Sequence, residues 1–150
     1  MKTDVPRKSI KTPDYQIRYI KKPNTPHENF ARIYRSLYES KRYRNLSPTA
    51  KDIYTGIMLA CNKGNMTRCI FPKSAYEKIT TKPTFHKAKK ELIDNGFIYE
   101  MSCWARPSIY TLSDAWMLDE IPRQEPIFLT EKQYDQIIKG IKNLTSEESN

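Results

Sequence analysis

Apolar residues recur along this chain at two periods, and the two periods divide it into elements. Phe30, Ile33, Tyr34, Leu37 and Tyr38 lie at i, i+3, i+4, i+7 and i+8, the spacing of one helix face. Thr25-Pro26-His27-Glu28 opens that helix with Thr as N-cap, Pro at the first helical position and Glu three residues on, a capping box. Ala50, Ile53, Tyr54, Ile57, Met58 and Cys61 form a longer stripe to about Asn62, opened by Ser47 and Pro48. Lys73 to Ile79 predicts a short helix, Thr80 to Pro83 a turn, and Thr84 to Asn95 a helix with Phe85, Ala88, Leu92 and Ile93 on one face. Gly96 ends it, since glycine takes positive φ without steric cost. Phe97 to Cys103 and Ser108 to Leu112 are rich in β-branched and aromatic residues and predict a hairpin. Trp104-Ala105-Arg106-Pro107 is its tip, and Cys69-Ile70-Phe71 supplies a third short strand. Trp116 follows a Ser113-Asp114 cap and folds back on the core, and Trp104 is expected in the core too.

These elements predict a mainly α fold with a small antiparallel sheet. Residues 1–24, punctuated by Pro6, Pro13 and Pro23, read as a basic flexible arm, although Tyr15, Ile17 and Tyr19 alternate like a short strand. Residues 25–116 form the domain and residues 117–129, with Pro122 and Pro126, a linker. Residues 130–150 hold an amphipathic helix and a polar tail. Thr130-Glu131-Lys132-Gln133 caps that helix, and Tyr134, Ile137, Ile138, Ile141 and Leu144 share a face. Such a face has to be buried, on the domain, on a second copy or on another protein.

Charge narrows the partner. The net charge is +9, with +8 in residues 1–44, +5 in 45–112 and −4 in 113–150. A basic front two-thirds favours a polyanion, either nucleic acid or an anionic membrane. No apolar run approaches the roughly 20 residues that span a bilayer, and no apolar core follows the basic N-terminus, so no membrane partner and no secretory signal are expected. Cys61, Cys69 and Cys103 are odd in number and sit among apolar residues, as reduced core thiols of a cytoplasmic protein. No pair has CxxC spacing and the histidines are His27 and His86, so neither a metal nor any other cofactor is expected.

The helix after the turn carries the candidate chemistry. Its apolar stripe leaves Lys82, Thr84, His86, Lys87, Lys89 and Lys90 mostly on other faces, toward the N-terminal half. Lysines meet phosphates, and short polar side chains near a helix start reach base edges in a major groove. Phe85 is placed with this DNA-facing set as well as in the stripe. Arg106 at the hairpin tip is expected to reach an adjacent minor groove or phosphate, and Arg42 and Arg44 form a second candidate phosphate contact. An equal reading of those two is cations set against a helix C-terminus.

The helix Lys73-Ile79, the turn Thr80-Thr81-Lys82-Pro83, Leu92 and Ile93, and Asn95-Gly96-Phe97-Ile98 before a hairpin resemble the winged helix-turn-helix family. The stretch from Phe30 to Trp116 resembles the winged-helix proteins of plasmids, integrative conjugative elements and phages. The matching pieces include Asn45-Leu46-Ser47-Pro48-Thr49-Ala50, Lys82-Pro83-Thr84-Phe85 and Tyr110-Thr111-Leu112-Ser113-Asp114-Ala115-Trp116. The resemblance implies a sequence-specific double-stranded DNA-binding protein of a mobile genetic element. An accessory factor at an origin of transfer is the leading role, with transcriptional regulator and plasmid replication initiator as alternatives. A relaxase or coupling protein, or self-association through the 130–144 helix, would then engage the C-terminal stripe. A module binding an acidic protein through the basic face is the alternative of another class, because fold alone does not fix function. A DNA-nicking tyrosine enzyme is not expected, since such chemistry needs a metal held by clustered His or carboxylates.

Overall fold

The computed structural model describes residues 30–61 and 67–148, with the backbone alone over 143–148. The arm 1–24, the capping box at 25–28 and the loop 63–65 lie outside those residues. The elements run α1 (Arg35–Glu39), α2 (Lys41–Arg44), α3 (Pro48–Cys61), β1 (Arg68–Ile70), α4 (Lys73–Tyr76), α5 (Lys82–Asp94), β2 (Ile98–Cys103), β3 (Arg106–Leu112), a 3₁₀ turn (Ala115–Met117), β4 (Ile127–Phe128) and α6 (Glu131–Glu148). The sheet order is β1-β3-β2-β4. β1 and β2 pair antiparallel with β3, whereas β4 runs parallel to β2, with Met101 opposite Ile127 and Ser102 opposite Phe128. The sheet is therefore mixed. The expected linker supplies its fourth strand, which a two-residue segment just after Pro126 does not announce.

Alternation puts the two faces of the sheet in different cores. Ile98, Tyr110 and Cys69 face Ile53, Ile57 and Cys61 of α3 and Phe85, Ala88 and Leu92 of α5. Met101, Cys103 and Ile109 face Tyr134, with Leu129, Ile137 and Ile138 packed beside them. So the C-terminal helix buries its first apolar positions on this domain. The Tyr134 hydroxyl donates to the Pro107 carbonyl at 2.7 Å, and Arg106 lies 5.2 Å from the Tyr134 ring centroid. Thr130 and Gln133 exchange the two bonds of the expected capping box.

The hinge between α5 and the hairpin is tightly built. Asn95 caps α5 and Gly96 takes a φ of 78°. Gly96 N–H donates to Ile93 O and Phe97 N–H to Leu92 O, the paired bonds of a Schellman motif. A Cβ on Gly96 would stand 2.7 Å from Trp116 N and 2.8 Å from the Ala115 carbonyl carbon. Trp116 N–H donates to Gly96 O, and the Trp116 ring stacks on Phe97 at 6.1 Å. Trp116 thus folds onto the core as expected.

The first predicted helix is much shorter than its periodicity. Residues 30–34 are not helical, and of that stripe Leu37 alone is buried. Ile33, Tyr34 and Tyr38 are exposed. The tip tryptophan is a second correction: Trp104 is 90% exposed, not a core residue. It precedes Ala105, whose left-handed φ of 58° turns β2 into β3.

Candidate nucleic-acid interface

α5 is positioned by bonds at both ends. Its start follows Thr81, whose hydroxyl bonds that of Thr84 at 3.1 Å, and Pro83 occupies the first turn, where no N–H is needed. Near its end Glu91 accepts from the Ser47 N–H at 2.7 Å and the Ser47 hydroxyl at 2.8 Å, while Ser47 Oγ accepts from Ala50 N–H. One carboxylate thereby clamps α5 to the N-cap of α3. Phe85 fixes the helix roll. It is buried and stacks on Tyr76 at 4.1 Å with the rings 3° from parallel.

This roll sorts the predicted residues. Lys82, Thr84, His86, Lys87 and Lys90 are exposed and share the solvent side of α5. Phe85 does not: it is core, as the stripe demanded, and faces no groove. Lys89 is withdrawn as well. Its ammonium lies 2.9 Å from Glu100 Oε2, with the two side chains 17% and 20% exposed. The Tyr110 hydroxyl donates to the same oxygen at 3.1 Å. Burial first, and the Glu100 charge next, push the Tyr110 phenol well above its usual range. The three groups tie α5 to the sheet inside the protein.

The arginines are also engaged. Arg106 is ion-paired with Asp135 of α6, which raises the guanidinium pKa further, so the tip does not present it as a free cation. Arg42 donates to the carbonyls of Trp116, Leu118 and Asp119, the first at 2.6 Å and the last at 2.8 Å. It clamps the chain after the 3₁₀ turn. Arg44 remains exposed at the end of α2.

His86 is the titratable member of the exposed set. Partial burial, then Lys89 and Lys82, hold its pKa below the usual histidine value. The imidazole is neutral at physiological pH, able to donate from one nitrogen and accept at the other. Exposed Lys78, in the turn before α5, and Arg68 of β1 extend the basic surface. Sequence periodicity did not mark them, because neither lies on a long amphipathic helix. Among the described residues no group of three His, Cys, Asp or Glu side chains is placed to hold a metal ion. No helix there is long and apolar enough to cross a membrane. All three cysteines are buried free thiols.

No protein-family model and no curated protein matches the chain. A solved structure described as "Structure of Rep-DNA complex" is similar over 77% of this chain and 89% of that one, at 20% identity and a TM-score of 0.44. Likeness at that level transfers neither fold nor function.

Proposed function

We propose that this protein is a sequence-specific double-stranded DNA-binding protein built as a winged helix-turn-helix, with α5 in the major groove and no catalytic activity. The observation that carries the reading is the solvent face of α5. Lys82, Lys87 and Lys90 stand there with Thr84 and His86, while Glu91 and Glu100 are turned inward to Ser47 and Lys89 and exposed Asp94 closes the C-terminal end of the helix. Cations on the rim and short hydrogen-bonding groups near the helix start are what phosphate positioning and base readout require. Helix, turn, helix and hairpin follow one another in the order of that family. A protein partner for the same face is the second class of reading, but three lysines around a polar centre in the first two-thirds of α5, where no acid is exposed, favour a phosphate polyanion over a mixed protein surface.

The element-borne role follows the sequence resemblance. An origin-of-transfer accessory factor drew support from a C-terminal stripe free to recruit a relaxase or coupling protein. Tyr134 and its neighbours are spent on the sheet, so that stripe no longer favours transfer over transcriptional control or replication initiation. The test is a binding isotherm on tiled duplexes from the DNA that encodes the protein, at physiological salt, with random duplex as competitor. One tile held at least about a thousand-fold more tightly than random DNA supports the reading, and its position names the role. Equal binding to all tiles, abolished by salt, overturns it.

A further inference from the structure

The segment around α1 does not behave as its sequence period requires. Tyr34, the N-cap of α1, and Tyr38, one turn later, are 66% and 60% exposed. The Tyr38 N–H donates to the carbonyl of Tyr34, whose own backbone is extended, at 3.0 Å, and the Tyr38 ring lies 6.1 Å from that of Tyr43. Four cations alternate with them: Arg32, Arg35, Lys41 and Arg44 are all exposed. The acid within residues 30–44 is Glu39. This surface is not the solvent face of α5. α2 is joined to α5 through Ser47, three residues past Arg44, which bonds Glu91 in the C-terminal half of that helix.

We propose that the 32–44 surface binds single-stranded DNA, with Tyr34 and Tyr38 stacking bases and Arg32, Arg35, Lys41 and Arg44 tracking phosphates. Two facts select this occupant. A polyanion matches the four exposed cations of this segment, whose one acid is Glu39, with Asp119 brought beside it through Arg42. Tyr34 and Tyr38 present flat faces that stack on any base and hydroxyls that tolerate water, and Phe30 and Ile33 are exposed in the same segment. Interleaved aromatics and cations are the general form of a strand-binding platform. The surface lies on different elements from the α5 lysines. In taking DNA rather than RNA, the proposal rests on the duplex reading above.

The test uses the full chain and fluorescence anisotropy with labelled oligo(dT) of about 20 nucleotides, and with oligo(U) of the same length. The wild type should bind oligo(dT) at least as tightly as oligo(U). Tyr34→Ala and Tyr38→Ala should each weaken oligo(dT) binding by about five-fold or more, and the double variant by more than either. Tyr38→Phe should restore wild-type binding, because it keeps the ring. Both sites are exposed, so circular dichroism should be unchanged. Lys87→Ala with Lys90→Ala should lower duplex binding and leave oligo(dT) binding intact. If that variant leaves duplex binding untouched while the tyrosine variants lose oligo(dT), the duplex reading falls and the strand platform stands. Three results overturn the proposal: no binding of oligo(dT), a preference for oligo(U), or oligo(dT) binding that is indifferent to both tyrosines and vanishes with salt. The last would mark generic charge attraction at a surface left for a protein partner.

Discussion

Replacing Lys89 by alanine separates a lysine that builds the fold from one that meets phosphate. Lys89 and Glu100 lie 2.9 Å apart at about one-fifth exposure, so neither is a free surface charge. A fully exposed pair is worth about 0.2–1 kcal/mol, and breaking a fully buried one costs about 3–5 kcal/mol. At this burial, with the Tyr110 hydroxyl still bonded to Glu100, the expected loss is about 1–3 kcal/mol. Urea unfolding followed by circular dichroism should show that loss as a lower midpoint with an unchanged slope. Duplex affinity at moderate salt should stay within about two-fold of wild type, with the same slope of log K against log salt, because the ammonium releases no counterion from DNA. Lys87→Ala, fully solvated, should do the reverse: stability within about 0.5 kcal/mol of wild type and a slope shallower by about 0.9. If Lys89→Ala loses a unit of salt slope and no stability, the Glu100 bond is not what holds it, and the division of α5 into inner and outer lysines is wrong.

Other perturbations follow from the same contacts. Gly96→Ala sets a side chain into left-handed backbone, at about 1–2 kcal/mol, and against the Trp116 nitrogen, at about 1–3 kcal/mol more. The urea midpoint should fall by the sum, and a loss below about 1 kcal/mol would refute the close approach. Glu91→Ala strips two charge-assisted bonds from Ser47 and should cost about 1–3 kcal/mol, where an unchanged midpoint would show that Ser47 caps α3 without help. His86 begins below its usual pKa in the free protein, and a nearby phosphate would raise it. DNA binding should then take up protons, so duplex affinity should rise as pH falls from about 7.5 to 5.5. His86→Asn should flatten that profile, and a wild-type affinity that does not change with pH over this range would place His86 away from phosphate.

Helix α3, helix α5 and the hairpin were legible because their signals are local and agree. A stripe with a cap at its start and a glycine at its end leaves few alternatives, and the structure keeps α3 at Pro48–Cys61 and α5 at Lys82–Asp94. β4 was not legible: two residues after Pro126 carry no period, and they pair with β2 because the chain returns past Met101 on its way to α6. The site was half legible, for a reason that lies in the long side chains. Periodicity gives the angle of a Cα around the helix, and Lys82, Lys87 and Lys90 come out exposed as that angle predicts. Lys89 sits at the edge of the buried stripe, where a four-carbon stem can reach inward or outward, and Glu100, eleven residues on and past the Gly96 turn on β2, decides the matter. Asp135 does the same to Arg106 from a helix that the sequence left unattached.

The α1 stripe shows the converse. Phe30 to Tyr38 carries a helical period as regular as that of α3, yet of that stripe Leu37 alone is buried, against a core that includes Leu46, Ile53 and Phe97, and the Tyr38 ring lies 6.1 Å from that of Tyr43. Period identifies residues able to share a face, and burial requires an opposing surface that the period does not contain. Where the described residues offer no such surface, aromatic residues stand exposed beside the cations that alternate with them. An apparent core helix then becomes a candidate binding surface without any change in its sequence pattern.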